Sequence, residues 1–170
     1  GFPRHQGQQP VQFALAGVAA SQGAKLRHVK AHGQLYNMAV NNEGLTRALA
    51  QATYDVDRDL VFFCLAGTKM LDIAESMGLK VASEVFGDRT YSPDGTLSPR
   101  NKPGAMIEDV NVSIKQVLQM VQKGTITAVD GSTVHVRADT LCIHGDQPGA
   151  ATFAKAIRDA LIAAGIEVGV

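Results

Sequence analysis

The sequence predicts an α/β protein built on parallel strands. Short apolar runs alternate with helix-like segments, and one run, Asp59–Ala66 (DLVFFCLA), is almost entirely apolar. Such a run is typical of a strand that is covered on both faces, as strands in parallel sheets are. The alternation fits both a doubly wound sheet and a (β/α) barrel. With 170 residues, of which 45% are apolar and 19% charged, the chain has the size and composition of one globular domain over residues 1–170.

The first half of the chain predicts three helices and three strands. Gly23 and Gly78 mark the predicted ends of two helices, because glycine readily adopts the left-handed conformation that ends a helix. In chain order, we expect a helix over 10–22, a strand over 26–30, a helix over 33–51 with a break at 41–44, a strand over 59–66, a helix over 68–77 and a strand over 79–83.

The second half adds two helices, a strand and two interruptions. The segment Phe86–Met106 is long and rich in Gly, Pro and Asp, which is typical of a functional or mobile loop. Thr125–Val136 places two β-branched runs around Asp130-Gly131, which predicts a β-hairpin outside the main sheet. The remaining expected elements are a helix over 110–123, a strand over 139–143, a helix over 149–164 and a strand-like tail over 166–170.

Charged residues and histidines follow three of the four predicted main-sheet strands. Because the carboxyl ends of parallel strands share one rim where ligands bind, we expect these residues to converge, and the alternative is that strand ends are polar because they meet water. The candidates are Lys30 and His32 after the first strand, Glu84, Asp88 and Arg89 after the third, and His144 and Asp146 after the fourth.

The histidines and acids of this set fit acid–base chemistry. His32 and His144 each precede a glycine that would let a ligand approach closely, and their alternative role is hydrogen bonding in a turn. Glu84 is a candidate general base or metal ligand. Asp146 is a candidate to orient His144 or to ligate a metal, and its alternative role is to cap the last helix.

The cationic candidates suit an anionic ligand. Lys30 ends an apolar strand, where a partly buried ammonium needs an anionic partner or a shifted pKa. Arg89 and Arg100 flank the long loop, and a guanidinium binds a carboxylate or phosphate through two hydrogen bonds. Surface salt bridges are the alternative role for both arginines.

The composition and the missing motifs narrow the function class. The 16 basic and 16 acidic residues leave no charge excess for binding nucleic acid or an anionic membrane surface. No apolar run approaches the roughly 20 residues of a membrane span. Cys64 and Cys142 lie in apolar runs without partner motifs, so we expect buried thiols and a reducing, cytoplasmic location. The chain has no phosphate-binding glycine loop, no zinc-protease motif and no nucleophile elbow.

Three blocks of the sequence resemble one protein family in order and spacing. They are LRHVKAHGQLYN (Leu26–Asn37), SEVFGDRTYSPDGTLSPR (Ser83–Arg100) and DTLCIHGDQPGA (Asp139–Ala150). The helix over 117–124 between the last two blocks also agrees. On these residues the chain is similar to the LamB/YcsF family from Val11 onward.

The resemblance implies a (β/α) barrel-like, deacetylase-related fold, incomplete in this chain. It implies ATP-dependent hydrolysis of 5-oxo-L-proline to L-glutamate, carried out with subunits B and C of a 5-oxoprolinase, and it leaves a divalent metal ion open. Carried onto this sequence, the family motifs give a catalytic set and a substrate-binding set. The catalytic set is Lys30, His32, Glu84, Arg89, His144 and Asp146, and the substrate-binding set is Asn37, Asp88 and Arg100.

This sequence departs from the family pattern at two places. Ala31 stands where the family usually has proline, which would loosen the turn before His32. The acidic and histidine-containing motifs that open family members are absent, so we expect the C-terminal part of a longer domain. Two other functions fit the same residues. One is a metal-dependent, deacetylase-like hydrolase with His32, His144 and Asp146 as ligands, and the other is a non-catalytic subunit that binds 5-oxoproline.

Overall fold

The computed structural model describes residues 8–146 and 149–169, with side chains from residue 13 onward. Its helices and strands alternate as the sequence predicts. The helices are α1 (Gln8–Ser21), α2 (Gln34–Val40), α3 (Glu43–Val56), α4 (Met70–Ser76), α5 (Val110–Lys123) and α6 (Ala150–Ala163). The strands are β1 (His28–Val29), β2 (Val61–Leu65), β3 (Lys80–Phe86), β4 (Thr125–Thr127), β5 (Thr133–His135) and β6 (Thr140–Cys142).

The strands form a four-stranded sheet and a separate hairpin. The order in the main sheet is β1-β2-β3-β6, and both β1–β2 and β3–β6 pair in parallel. Strands β4 and β5 pair antiparallel, with Ile126 opposite Val134. The predicted α/β class, the parallel strands and the hairpin outside the main sheet are therefore confirmed.

The chain divides into two compact units, residues 1–82 and 83–170. In the first unit, β2 is the most deeply buried strand: Phe62 and Cys64 are at most 1% exposed. Phe63, on the alternate face, is half-buried and stacks on the His28 ring at 4.5 Å between centroids. Burial of consecutive residues on both faces explains why this strand is apolar almost throughout.

In the second unit, α5 packs against the end of β3. Its first turn is capped by Asp109, whose carboxylate accepts a hydrogen bond from the backbone N–H of Asn111, and Gly124 ends it in a left-handed conformation with φ 61°. Val117 and Met120 lie on its buried face. A Cβ on Gly87 would lie 3.3 Å from a Val117 methyl group, so glycine permits the close approach of helix and strand.

Several details of the structure differ from the prediction. Helix α3 continues to Val56, and β3 continues to Phe86, so Glu84 lies inside the strand and not after it. Residues 166–169 form no strand, and the hypothesis of a strand-like tail is wrong there. The long 86–106 segment is folded back on itself through bridges that join Arg89 to Met106 and Tyr91 to Leu97. Cys64 is buried as expected, whereas Cys142 is only half-buried, because it ends a strand with an open edge among the described residues.

No helix in the described ranges is both long and apolar enough to cross a membrane.

Candidate functional site

The second unit brings Asp88 and His144 together at the carboxyl ends of two paired strands. Phe86 lies opposite Cys142 in the β3–β6 register, and the backbone N–H of Gly87 donates to the Cys142 carbonyl at 3.0 Å. Asp88 and His144 each come two residues after these paired positions. The same register therefore places a carboxylate beside an imidazole, although 56 residues separate them in sequence.

Asp88 holds His144 with two hydrogen bonds to one oxygen. The Oδ2 atom accepts from the backbone N–H of His144 at 2.8 Å and lies 2.7 Å from Nδ1 of its ring. A carboxylate can only accept, so Nδ1 carries the hydrogen in this contact. The outer nitrogen, Nε2, is then the atom that can take or give a proton, as in enzymes where a carboxylate sets the tautomer of a catalytic histidine.

This contact is largely buried. The Asp88 side chain is 7% exposed and that of His144 is 24% exposed. The His144 ring also stacks on Phe86, with 5.7 Å between the ring centroids. Water is thus largely excluded from the carboxylate while one side of the imidazole stays accessible, which is the environment that a general acid or base needs.

The pair opens on a cavity of about 350 Å³ in the second unit. Its lining combines three ionisable side chains with a small apolar surface. The lining residues are Asp88, Ile107, Glu108, Ile143, His144, Ala150 and Phe153. This volume, with few polar groups among apolar ones, suits a small polar ligand.

Helix α5 supports the backbone that carries Asp88. The Ser113 hydroxyl donates to the Gly87 carbonyl at 2.6 Å. The Gln116 amide donates to the carbonyls of Phe86 at 3.1 Å and of Arg89 at 2.9 Å. Three carbonyls around Asp88 are thereby satisfied by one helix, which fixes the position of the Asp88–His144 dyad.

Arg89 is held inside the folded loop. It is 5% exposed, and its guanidinium donates to the backbone carbonyls of Ser98 and Ala105. Burial lowers the pKa of this guanidinium from its usual value, although an arginine stays charged. In this arrangement, the predicted catalytic residue Arg89 ties the two sides of the 86–106 segment together.

Arg100 and Asp146 form an exposed ion pair beside the dyad. The guanidinium Nη1 lies 3.3 Å from the Asp146 carboxylate. This hydrogen bond lowers the pKa of the Asp146 carboxyl below its usual value. The sequence predicts that Asp146 orients His144 or ligates a metal, but the carboxylate that contacts His144 is that of Asp88.

Glu84 is buried within β3, and the remaining predicted residues lie in the first unit. Glu84 is 2% exposed. The Lys30 ammonium lies 5.3 Å from the centroid of the Tyr36 ring. His32 and Asn37 are exposed, on either side of the start of α2. Convergence of these residues with the dyad stays a prediction.

Within 8–146 and 149–169, no group of three or more His, Cys, Asp or Glu side chains is placed to hold a metal ion. The metal-dependent alternative, with His32, His144 and Asp146 as ligands, draws on both units and stays a prediction.

The sequence predicts Asp88 and His144 as separate candidates but not their pairing. The two residues lie at equal distances after the observed ends of β3 and β6, but not after the predicted strand ends at 83 and 143, so the register is needed to show the pair. Glu108, Ile107 and Phe153 were missed entirely. Glu108 comes directly after the loop and before a helix cap, and neither position carries a motif that would single it out.

The fold and the site together define an α/β protein with an aspartate–histidine pair at the carboxyl ends of its parallel strands. Comparison with known proteins identifies the family to which the chain belongs within this class. The LamB/YcsF family model matches residues 9–170, and the chain belongs to that family. The expected family resemblance is thereby confirmed.

Several similar proteins are named as the A subunit of 5-oxoprolinase. The chain is 58% identical to the protein of this name from Bordetella pertussis over 155 residues, which are 91% of this chain and 62% of the relative. It is 48% identical to the protein of the same name from Bacillus subtilis, over 91% of this chain and 60% of the relative. The chain thus spans about three fifths of the length of these relatives.

A solved structure shares the fold. It is the crystal structure of a lactam utilization protein from Thermus thermophilus, with a TM-score of 0.84 and 42% sequence identity. The match covers 92% of this chain and 62% of that one.

Proposed function

We propose that this chain acts as the A subunit of an ATP-dependent 5-oxoprolinase, in the hydrolysis of 5-oxo-L-proline to L-glutamate. The names of the relatives support the substrate. The observation that carries the proposal is the Asp88–His144 dyad on a cavity sized for a small ligand. Subunits B and C are the expected partners, and the cytoplasm is the expected location.

The chemistry required is cleavage of a stable amide bond in a five-membered ring. ATP, as co-substrate, supplies the phosphoryl group that activates the lactam carbonyl. His144 takes the proton of the water that attacks the carbonyl carbon, and Asp88 stabilises the resulting imidazolium. The carbon–nitrogen bond then breaks, and the proton goes to the ring nitrogen, which becomes the amine, while the carbon keeps the phosphate as an acyl phosphate. A second water hydrolyses this acyl phosphate to the side-chain carboxylate of glutamate and inorganic phosphate.

We assign a candidate role to each of the other predicted site residues. Arg100 is exposed and is a better candidate than Arg89 for binding the substrate carboxylate, because the Arg89 guanidinium is occupied by backbone carbonyls. Lys30 is the other cation proposed for charge neutralisation. His32 and Glu84 stay candidates for acid–base work, Asn37 for substrate contact and Asp146 for positioning Arg100.

The test is ATP-coupled turnover in the assembled enzyme. The chain is mixed with purified subunits B and C, and a full-length relative from the same family serves as a positive control. Glutamate and ADP should form in equal amounts from 5-oxoproline. Activity with the relative and none with this chain would contradict the proposal for this chain.

A matched substitution separates catalysis from simple binding. His144→Gln should lower turnover by about 100-fold or more if His144 is the acid–base group. His135→Gln, on the exposed hairpin strand β5, should leave it unchanged. Equal turnover in both variants would favour the non-catalytic binding role instead.

A further inference from the structure

Glu108 lies on a segment that is anchored beside Asp88. The backbone N–H of Ile107 donates to the Asp88 carbonyl at 2.9 Å, and Met106 forms a β-bridge with Arg89. On its other side, Asp109 caps the first turn of α5. The backbone on both sides of Glu108 is therefore held in place, whereas the Glu108 side chain is exposed.

The cavity offers a ligand few hydrogen-bonding groups. Three of its lining side chains are ionisable: Asp88, Glu108 and His144. Asp88 is 5% exposed and directs its hydrogen bonding to His144, and His144 is the proposed acid–base group. Among the side chains that line this cavity, Glu108 is the exposed carboxylate that remains for binding a ligand.

We infer that Glu108 accepts a hydrogen bond from the ring N–H of the substrate and makes the site selective for lactams with an unsubstituted nitrogen. This inference rests on the proposed function. The ring N–H is the one donor of 5-oxoproline, whose carbonyl and carboxylate oxygens only accept, and a carboxylate is a strong partner for such a donor. The apolar side chains of the cavity suit the ring methylenes. They are Ile107, Ile143, Ala150 and Phe153.

Binding of two matched ligands to the chain tests this inference without any need for turnover. The probes are 5-oxo-L-proline and 3-oxocyclopentane-1-carboxylate, in which a methylene replaces the ring N–H. Titration calorimetry should show that the lactam binds about 10-fold more tightly than the ketone. In Glu108→Ala the ratio should fall below about 2-fold, and Glu108→Gln, whose amide oxygen still accepts, should retain part of the preference.

Glu43→Gln is the matched control, since Glu43 lies on α3 in the other unit and forms an exposed ion pair with Lys69. It should keep the wild-type ratio. An unchanged preference in Glu108→Ala, with tight lactam binding, would overturn the role of Glu108 and leave the proposed function intact. No binding of either ligand to the wild-type chain would overturn the inference itself, while the proposed function would still be judged by turnover in the assembled enzyme.

Discussion

At the residue scale, the strand-end pattern predicts the two members of the Asp88–His144 dyad but not their contact. His144 and Asp88 are both recognisable as candidates, because ligands bind at the carboxyl ends of parallel strands. Their contact depends on the β3–β6 register, which joins residues 56 apart, and no local signal encodes it. Arg89 shows the converse, since its burial against carbonyls depends on how the loop folds.

Asp88→Asn should remove the charge of the dyad and keep its geometry. The amide oxygen can replace Oδ2 and accept both hydrogen bonds from His144, so the ring hydrogen stays on Nδ1, but a neutral amide no longer stabilises the imidazolium. Turnover should fall by about 100-fold or more, with KM within a few-fold of wild type. Nitrogen NMR of the His144 ring should show the hydrogen on Nδ1 in both proteins, so that lost turnover reports the lost charge.

The control for this substitution is Asp130→Asn at the hairpin turn, where asparagine before Gly131 is well tolerated. It should retain wild-type turnover and leave the His144 signals unchanged. Full activity of Asp88→Asn with the hydrogen still on Nδ1 would exclude a catalytic role for the Asp88 charge.

The Arg100–Asp146 pair should be pH-dependent in a defined direction. The folded state holds the pKa of Asp146 below its ordinary value of 3.8, mainly through the hydrogen bond from Arg100. The stabilisation is therefore fully present above the ordinary pKa and is lost as the pH falls through the folded-state pKa. Arg100→Ala should raise the pKa of Asp146 toward its ordinary value in a carbon NMR titration. The same pKa in Arg100→Ala as in a control Arg47→Ala would show that the pair is not formed in solution.

At the element scale, boundaries could be predicted where local chemistry marks them. Helix α5 begins at Val110 and ends at Lys123, as expected, because Asp109 and Gly124 supply a cap and a stop. Strand β3 extends beyond its predicted end, since its last residues pair with β6 and are buried, and pairing is not a local property. The β4–β5 hairpin was found because Asp130-Gly131 is a strong turn signal.

Gln116→Leu should destabilise the second unit, because Gln116 supports the backbone that carries Asp88. It removes the donors to the carbonyls of Phe86 and Arg89 at similar side-chain volume. Leaving these carbonyls unpaired should cost about 1–3 kcal/mol in the free energy of unfolding, measured with urea. Gln122→Leu, on the exposed face of the same helix, should change it by less than about 0.5 kcal/mol. Equal effects of the two substitutions would show that the Gln116 contacts do not support the loop.

At the scale of the whole molecule, the strand–helix alternation was sufficient to predict the fold class. The division into two compact units was not visible in composition, because no proline- or glycine-rich linker marks residue 82. The unit boundary falls inside β3, a strand that reads as continuous in sequence. Convergence of Lys30 and His32 with the Asp88–His144 dyad depends on how the two units are arranged, and it stays a prediction.

Local stability should differ strongly between β2 and α1. Phe62 and Cys64 of β2 are at most 1% exposed, whereas Phe13, Leu15 and Val18 of α1 are 53–63% exposed. A helix that buries little apolar surface is only weakly stabilised by the rest of the chain. Hydrogen exchange followed by mass spectrometry should therefore show amides of α1 exchanging about 100-fold faster than those of β2. Equal protection of the two elements would mean that the apolar face of α1 is covered in solution, and a protein concentration series would then show whether a second copy of the chain covers it.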